Sequence, residues 1–247
     1  MIPSYDLDKI KFGTDKATFE RAVDLYEKGK VTNFKEFANS AFAEVLGGSS
    51  YNVSVSFSHY DRGNCDCYMG ERDMLCKHMI AVAIYIVKNG KPLTKEDKEL
   101  TDTPCCSGQV GELSEDGLME VKRSITLAMR YIKPYRGPSR LWFAYQSSLF
   151  EGCNRLSKIV SELPVSKQTA DILVDMLLRL DKKLQGGTDD SDGTVGGFMY
   201  ETTNVLEEYA KLDSSCIKSF EKFCDKSTCF EWSDSLIRIF DEGFPEK

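Results

Sequence analysis

The sequence predicts an α+β module at the N-terminus followed by a region built from α-helices alone. Large apolar and small polar residues alternate over residues 51–57, as is typical of a strand with one buried face. Beyond residue 116, apolar residues recur every three to four positions, the period of an α-helix. The stretch 91–116 is rich in proline and glycine and separates the two patterns. We therefore expect domains at 1–90 and 117–247, joined by a linker at 91–116.

The first module is expected to contain a helix, strands and a second helix, in that order. Residues 17–28 have apolar side chains with i, i+3, i+4, i+7 spacing, and Gly29 follows as a stop signal. Apolar runs near 31–37 and 42–46 precede Gly47 and Gly48, a pair typical of a hairpin turn into the 51–57 strand. The apolar, alanine-containing stretch 76–88 predicts a short buried helix that ends before Asn89 and Gly90.

The second half carries four apolar stripes with helical spacing. They consist of Leu118, Val121, Ile125, Ala128 and Ile132; Leu173, Leu177, Leu180 and Leu184; Val205, Tyr209 and Leu212; and Trp232, Leu236 and Phe240. Such stripes are usually core-facing. They predict a helical bundle or a stack of antiparallel helix pairs, without a fixed repeat period.

Composition and charge exclude several classes of protein. The chain is 41% hydrophobic and 29% charged, which is ordinary for a globular domain. The longest apolar run, 79–87, is about half the length that crosses a bilayer, and the N-terminus has no export signal, so we expect a cytoplasmic protein with no membrane partner. A net charge of −7 argues against diffuse attraction to nucleic acid and leaves a local basic surface open.

The most informative motif is a set of metal-ligating residues within fourteen positions. Cys65 and Cys67 form C-x-C, and after eight residues Cys76 and His78 form C-x-H. Three thiolates and one imidazole match the Cys₃His shell of structural zinc, so one structural Zn²⁺ is expected. In a reducing compartment, metal ligation explains these cysteines better than disulfides. A catalytic zinc would keep a coordination position open, whereas four protein ligands fill the shell.

This motif resembles the SWIM zinc finger, whose pattern is C-x-C, a variable spacer and C-x-H. The resemblance extends over residues 12–90, since the helix ending near Lys28, the strand pair and the helix after His78 are similar to the family's setting. It implies a ββα-like zinc module that binds DNA or a protein partner and has no chemistry of its own.

Basic residues provide candidate contacts to nucleic acid. The thirty residues between Glu120 and Glu151 contain no aspartate or glutamate, and aromatic residues are interleaved with their basic ones. The candidates are Lys133, Arg136 and Arg140 in that segment and Arg62, Arg72 and Lys77 near the zinc motif. Cations beside aromatic rings suit phosphates and exposed bases. Alternatively, these residues pair with acidic helices, fill the core or form a solvated surface.

Three other features favour plain structural roles. His59 is interpreted as a polar or partner-facing residue on the strand rather than a ligand. The glycine- and aspartate-rich stretch 186–197 lacks the acidic ligands of a calcium loop and is expected to be a flexible linker. The remaining cysteines are expected to be inert thiols, although Cys224 and Cys229 leave a second metal site as an alternative.

Together these observations predict an α+β zinc module (a helix, antiparallel strands and a ββα-like finger) followed by an all-α bundle or helical-hairpin stack. The function expected is non-catalytic: a zinc-binding SWIM-type protein that binds DNA or RNA or serves as an adaptor. The alternative is a protein–protein scaffold that does not contact nucleic acid. No small-molecule substrate is indicated.

Overall fold

A computed structural model describes residues 2–137, 142–224 and 226–243, and all of their side chains except those of 142–144. These residues form two compact units, Met1–Leu100 and Thr101–Lys247. The first combines a four-stranded antiparallel sheet with helices, and the second is helical. The expectation of an α+β chain with a helical region is therefore confirmed.

The sheet of the first unit is a meander in which each strand pairs with the next along the chain. Its strands are β1 (Val31–Phe37), β2 (Ser40–Leu46), β3 (Ser50–Ser56) and β4 (Gly63–Cys65). Burial alternates along β2, where Ala41, Ala43 and Val45 face the core. In β3, Val53 and Val55 are buried on the same side. One face of the sheet thus covers the core, as the alternating sequence pattern predicts.

Four helices complete the first unit: α1 (Leu7–Phe12), α2 (Lys16–Glu27), α3 (Lys77–Lys88) and α4 (Lys95–Lys98). Helix α3 packs against α2 and the sheet, and its buried residues include Ile80 and Ile84. It ends at Asn89, which has the left-handed conformation typical of helix ends. These contacts hold the N-terminus of α3 beside the end of β4.

Two short elements were not anticipated, and His59 lies elsewhere than expected. Helix α1 begins after Asp6, whose carboxylate accepts a hydrogen bond from the Lys9 amide. Strand β4 has only three residues, too few to show an alternating pattern. Since β3 ends at Ser56, His59 is exposed on the turn that follows rather than on the strand.

The stretch 91–116, expected as a linker, contributes to both units. Leu93 and Leu100 are buried in the core of the first unit, on either side of α4. In the second unit, the Ser107 hydroxyl donates to the Leu163 carbonyl at 2.6 Å, and Val110 forms an isolated β-bridge with Val165.

The second unit is built from helices around one apolar core. Its α-helices are α5 (Glu115–Ala128), α6 (Trp142–Glu162), α7 (Lys167–Gln185), α8 (Thr194–Leu212) and α9 (Asp234–Glu242). A 3₁₀ segment, Ser214–Phe223, packs against α7, α8 and α9. The core includes Leu173, Leu177 and Tyr209 from the predicted stripes. None of the helices in the described ranges is long and apolar enough to cross a membrane.

Candidate metal centre

The four residues of the C-x-C and C-x-H pairs converge where the sheet meets α3. Cys65 is the last residue of β4 and pairs with Val53 of β3. Cys67 lies in the turn after β4, Cys76 is the N-cap of α3, and His78 is in the first turn of that helix. All four side chains are buried. The centre therefore joins β4 to α3 across a loop of ten residues, 66–75, in which the apolar side chains of Tyr68, Met69 and Met74 are exposed.

The donor atoms are close enough to share one ion. The four ligand atoms lie within 4.8 Å of one another. His78 Nδ1 is 3.6 Å from Cys65 Sγ and 4.0 Å from Cys76 Sγ. In a tetrahedral zinc site with ordinary bond lengths, sulfur and nitrogen ligands are about 3.6 Å apart. This Cys₃His cluster has the donors and spacing to hold one metal ion.

The turn between Cys65 and Cys76 is shaped around the cysteine sulfurs. The Gly70 amide donates to Cys67 Sγ at 3.4 Å, the kind of contact that stabilises a thiolate. A Cβ at Gly70 would lie 2.1 Å from the Cys65 carbonyl oxygen, so only glycine fits there. A 3₁₀ turn, Gly70–Arg72, then leads toward α3.

Aromatic and glycine residues fix the histidine ring. Tyr51 stacks on His78 with ring centroids 4.3 Å apart and an interplanar angle of 23°. A Cβ at Gly47 would lie 3.3 Å from His78 Nε2, so the hairpin turn approaches the ring closely. Nε2 is buried and has no hydrogen-bond partner within the described part of the chain. The ring is therefore held by packing, with Nδ1 directed toward the sulfurs.

Contacts within the cluster shift the pKa values of Cys65 and Cys76 in opposite directions. A hydrogen bond with Cys65 lowers the pKa of Cys76, and contacts with His78 and the Met79 amide act in the same direction. The same bond, together with burial, raises the pKa of Cys65. Metals bind thiolates, so an environment that favours one thiolate at neutral pH suits a cation.

Asp66, between the two cysteines of the C-x-C pair, anchors the turn to β3. Its carboxylate accepts hydrogen bonds from the backbone amide of Asn52 at 3.0 Å and from the Asn52 side-chain amide at 2.8 Å. These bonds lower the pKa of Asp66. The turn between Cys65 and Cys67 is thus tied to β3 by these hydrogen bonds, in addition to any bound ion.

The basic residues proposed from sequence fall into both units. Arg62 is exposed just before β4, while Lys77 is half-buried at the start of α3. The Arg72 guanidinium lies 3.6 Å from the Tyr68 ring centroid and donates to the Tyr68 carbonyl at 2.8 Å. Lys133 and Arg136 are exposed after α5 in the second unit. Arg140 lies outside the described residues.

The other sequence features serve the fold of the second unit. The Asp190 carboxylate accepts hydrogen bonds from the Val195 and Gly196 amides at 2.7 and 2.8 Å, so the loop expected as a flexible linker caps α8. Burial raises the pKa of Cys153 and Cys216, as expected for inert thiols. The described residues contain no second cluster of metal-ligating side chains that includes Cys224 or Cys229.

Signals for the supporting residues were weak in the sequence. Gly70 follows Cys67 by three positions, a spacing that places its amide near the sulfur, but the glycine could equally mark an ordinary turn. Tyr51 was recognised only as a strand residue. Comparisons with known protein families, curated proteins and solved structures found no match to this chain.

Proposed function

We propose that Cys65, Cys67, Cys76 and His78 bind one structural Zn²⁺ and that the N-terminal unit binds nucleic acid without catalysing a reaction. The buried Cys₃His cluster at the junction of β4 and α3 carries this proposal. Three sulfurs and an imidazole are the donors that zinc prefers, and four protein ligands complete its tetrahedral shell. A complete shell supports a structural role, because a catalytic zinc keeps one position for water or substrate.

The SWIM assignment rests on the spacing C-x-C-x₈-C-x-H and on the helix that begins at the second pair. Zinc would hold the turn that carries the ligands, and with it the backbone of the basic residues Arg62, Arg72 and Lys77. Glu71 and Asp73 lie in the same segment. Nucleic acid would therefore bind through local contacts rather than through a basic field over the whole unit.

Metal content and nucleic-acid binding, measured on the same preparations, test this function. We expect one zinc per chain in protein purified without added metal. The double variant Cys76→Ser, His78→Ala should lose both the zinc and the salt-dependent affinity for DNA or RNA.

The matched control is the double variant Cys105→Ser, His59→Ala. It also removes one cysteine and one histidine, both of which are exposed and lie outside the cluster. It should keep its zinc and its affinity. Protein without zinc would refute the metal assignment, and a zinc-loaded protein without affinity for any nucleic acid would refute the proposed binding.

The second candidate function is a protein–protein scaffold, favoured by the surface of the C-terminal unit. A groove of about 740 Å³ there is flanked by the exposed rings of Tyr200 and Phe230. Exposed aromatic rings around a concavity are typical of partner-binding surfaces. A protein that co-purifies with the chain, persists after nuclease treatment and is lost with Tyr200→Ala, Phe230→Ala would support the scaffold.

A further inference from the structure

The sheet of the N-terminal unit has two faces of different chemistry. The inner face packs on α3 and carries Cys65 of the metal cluster. The opposite face, which we call the outer surface, presents two phenylalanines, Phe37 at 74% exposure and Phe42 at 47%. Two such rings on one face of a small sheet are unusual, because burial of an aromatic side chain is strongly favourable.

Strand register places these rings side by side in two cross-strand rows. Residues directly opposite each other in antiparallel strands project from the same face. The first row consists of Phe37, Ser40 and Ser56, whose amide donates to the Arg62 carbonyl. The second row consists of Lys35, Phe42, Ser54 and Asn64. Phe37 and Phe42 are thus diagonal neighbours, with Cα atoms about 7–8 Å apart.

The charge of this surface differs from that of the chain. The chain carries −7, whereas the two rows contain Lys35 and no carboxylate, and exposed Arg62 adjoins the first row. Two carboxylates lie one row further along: Glu44 accepts a hydrogen bond from the Asn33 side-chain amide at 2.9 Å, and Asp66 accepts hydrogen bonds from Asn52. The serines beside the rings are too short to cover them. Two rings flanked by cations match a ligand with flat apolar groups and negative charge.

We propose that this outer surface binds single-stranded nucleic acid. Successive bases stack on Phe37 and Phe42, and the phosphates contact Lys35 and Arg62. Small sheets with exposed aromatic rings bind two or three unpaired bases in this way, since stacking requires a free base face. In a duplex those faces are covered. The inference rests on the proposed function of the N-terminal unit and specifies the form of nucleic acid and its site.

The metal cluster lies on the inner face of the sheet and would stabilise the strands that form the outer surface. Asn64 of the second row immediately precedes Cys65, and β4 pairs with β3 over only three residues. A metal bound to Cys65 therefore fixes the strand that carries Asn64 and the residue Arg62 just before it. Loss of zinc should therefore weaken binding at the outer surface, although Phe37 and Phe42 lie on the face of the sheet opposite Cys65.

Fluorescence anisotropy with the zinc-loaded full-length protein tests the proposal. The probes are labelled single-stranded DNA and RNA of mixed sequence, about 12 nucleotides long, and the corresponding duplexes. We expect preference for single strands, a loss of about tenfold with Phe42→Ala and of about a hundredfold with Phe37→Ala, Phe42→Ala. Phe37→Tyr, Phe42→Tyr should retain affinity, because the ring faces remain. Lys35→Ala should make binding less dependent on salt by about one phosphate contact.

The matched control is Phe230→Ala, which removes a phenylalanine of 81% exposure from the C-terminal unit. It should bind as the unchanged protein does. Zinc content and circular dichroism establish whether each variant is folded. If Phe37→Ala, Phe42→Ala does not fold, the affinity of the tyrosine double variant and the salt dependence of Lys35→Ala still test the surface.

The outcomes separate this inference from the proposed function. If the unchanged protein binds no oligonucleotide, both are overturned. If it binds but the phenylalanine variants bind equally well, or if duplexes bind as tightly as single strands, the outer surface is overturned while nucleic-acid binding stands. Analytical ultracentrifugation provides one further test. A dimer that dissociates in Phe37→Ala, Phe42→Ala would show that the surface joins two copies of the chain and would overturn the proposal.

Discussion

At the scale of single residues, the metal cluster depends on a glycine that supplies no ligand. The Gly70 amide donates to Cys67 Sγ, and a Cβ at Gly70 would lie 2.1 Å from the Cys65 carbonyl oxygen. We expect Gly70→Ala to lower zinc affinity at least tenfold and the stability of the N-terminal unit by about 1–3 kcal/mol, because the added Cβ must displace backbone. Competition with a chromogenic chelator measures the affinity, and thermal unfolding measures the stability.

Gly48→Ala is the control for this substitution. Gly48 lies in the hairpin turn between β2 and β3, and a Cβ there meets no atom within 4 Å. This variant should keep the zinc affinity and stability of the unchanged protein. If both alanine variants bind zinc equally well, the close approach at Gly70 has no role in metal binding.

Residue chemistry decided how much of the site could be predicted from the sequence. Cys65, Cys67, Cys76 and His78 could be identified because few residue types ligate metals and their spacing is compact. The stacking of Tyr51 on His78 could not be predicted, because it depends on strand register relative to α3. The outer surface was also missed, since the exposure of Phe37 and Phe42 depends on which face of the sheet is covered.

At the scale of elements, a half-buried ion pair attaches α4 to α3, and its carboxylate also belongs to the capping box that begins α4. Lys88 Nζ is 2.7 Å from the Asp97 carboxylate, which also accepts from the Thr94 amide. Burial alone would raise the pKa of Asp97, but these hydrogen bonds outweigh it and lower the pKa. A lowered carboxyl pKa stabilises the folded state above the unfolded value of about 3.9, and this contribution is lost as pH falls through the folded value.

Asp97→Asn should therefore destabilise the N-terminal unit by about 1–2 kcal/mol at pH 7. The difference from the unchanged protein should shrink as pH falls through the lowered pKa of folded Asp97, below which the carboxyl is protonated in both states. Urea unfolding at several pH values measures it. Glu99→Gln, which removes an exposed pair with Lys95 on the same helix, should cost less than about 0.5 kcal/mol. Equal losses of unfolding free energy in the two variants would show that burial of the Asp97 pair does not contribute to stability.

Strand β4 should be the element most dependent on a bound metal. Its three residues include no large apolar side chain, and residues 66–75 beyond it are held by Asp66, the Gly70 amide and the cluster. We expect hydrogen exchange of residues 63–76 to accelerate on zinc removal, while exchange in α2 changes less. Mass spectrometry with and without a chelator measures this. Unchanged exchange at 63–76 would mean that the metal does not fix this segment.

Helix α7 was predictable from the sequence, whereas α1 and β4 were not, because only α7 is long enough to repeat its apolar pattern. Helix α7 has nineteen residues, enough for its apolar stripe to repeat several times. Helix α1 and strand β4 have six and three residues, and tertiary contacts rather than local periodicity define them. The 3₁₀ segment Ser214–Phe223 was likewise not anticipated, because its period differs only slightly from that of an α-helix.

At the scale of the whole molecule, the described residues form two apolar cores, one in each unit. Only the N-terminal core contains the metal cluster. Zinc bound by the folded N-terminal unit would add its binding free energy to that unit alone, so the two units should differ in their response to a chelator. The positions of the tryptophans allow this difference to be measured in the intact chain.

Both tryptophans of the chain, Trp142 and Trp232, belong to the C-terminal unit. Their fluorescence therefore reports on that unit, whereas cobalt substitution or zinc release reports on the other. We expect a chelator to lower the midpoint of one thermal transition, followed by circular dichroism, by about 10 °C or more, and to leave the tryptophan transition within about 2 °C. Cys76→Ser should reproduce the effect without chelator, and Cys105→Ser should not. A tryptophan transition that shifts together with zinc loss would mean that the two units unfold as one cooperative structure, since only coupling between the cores could transmit the loss of metal binding to the helical unit.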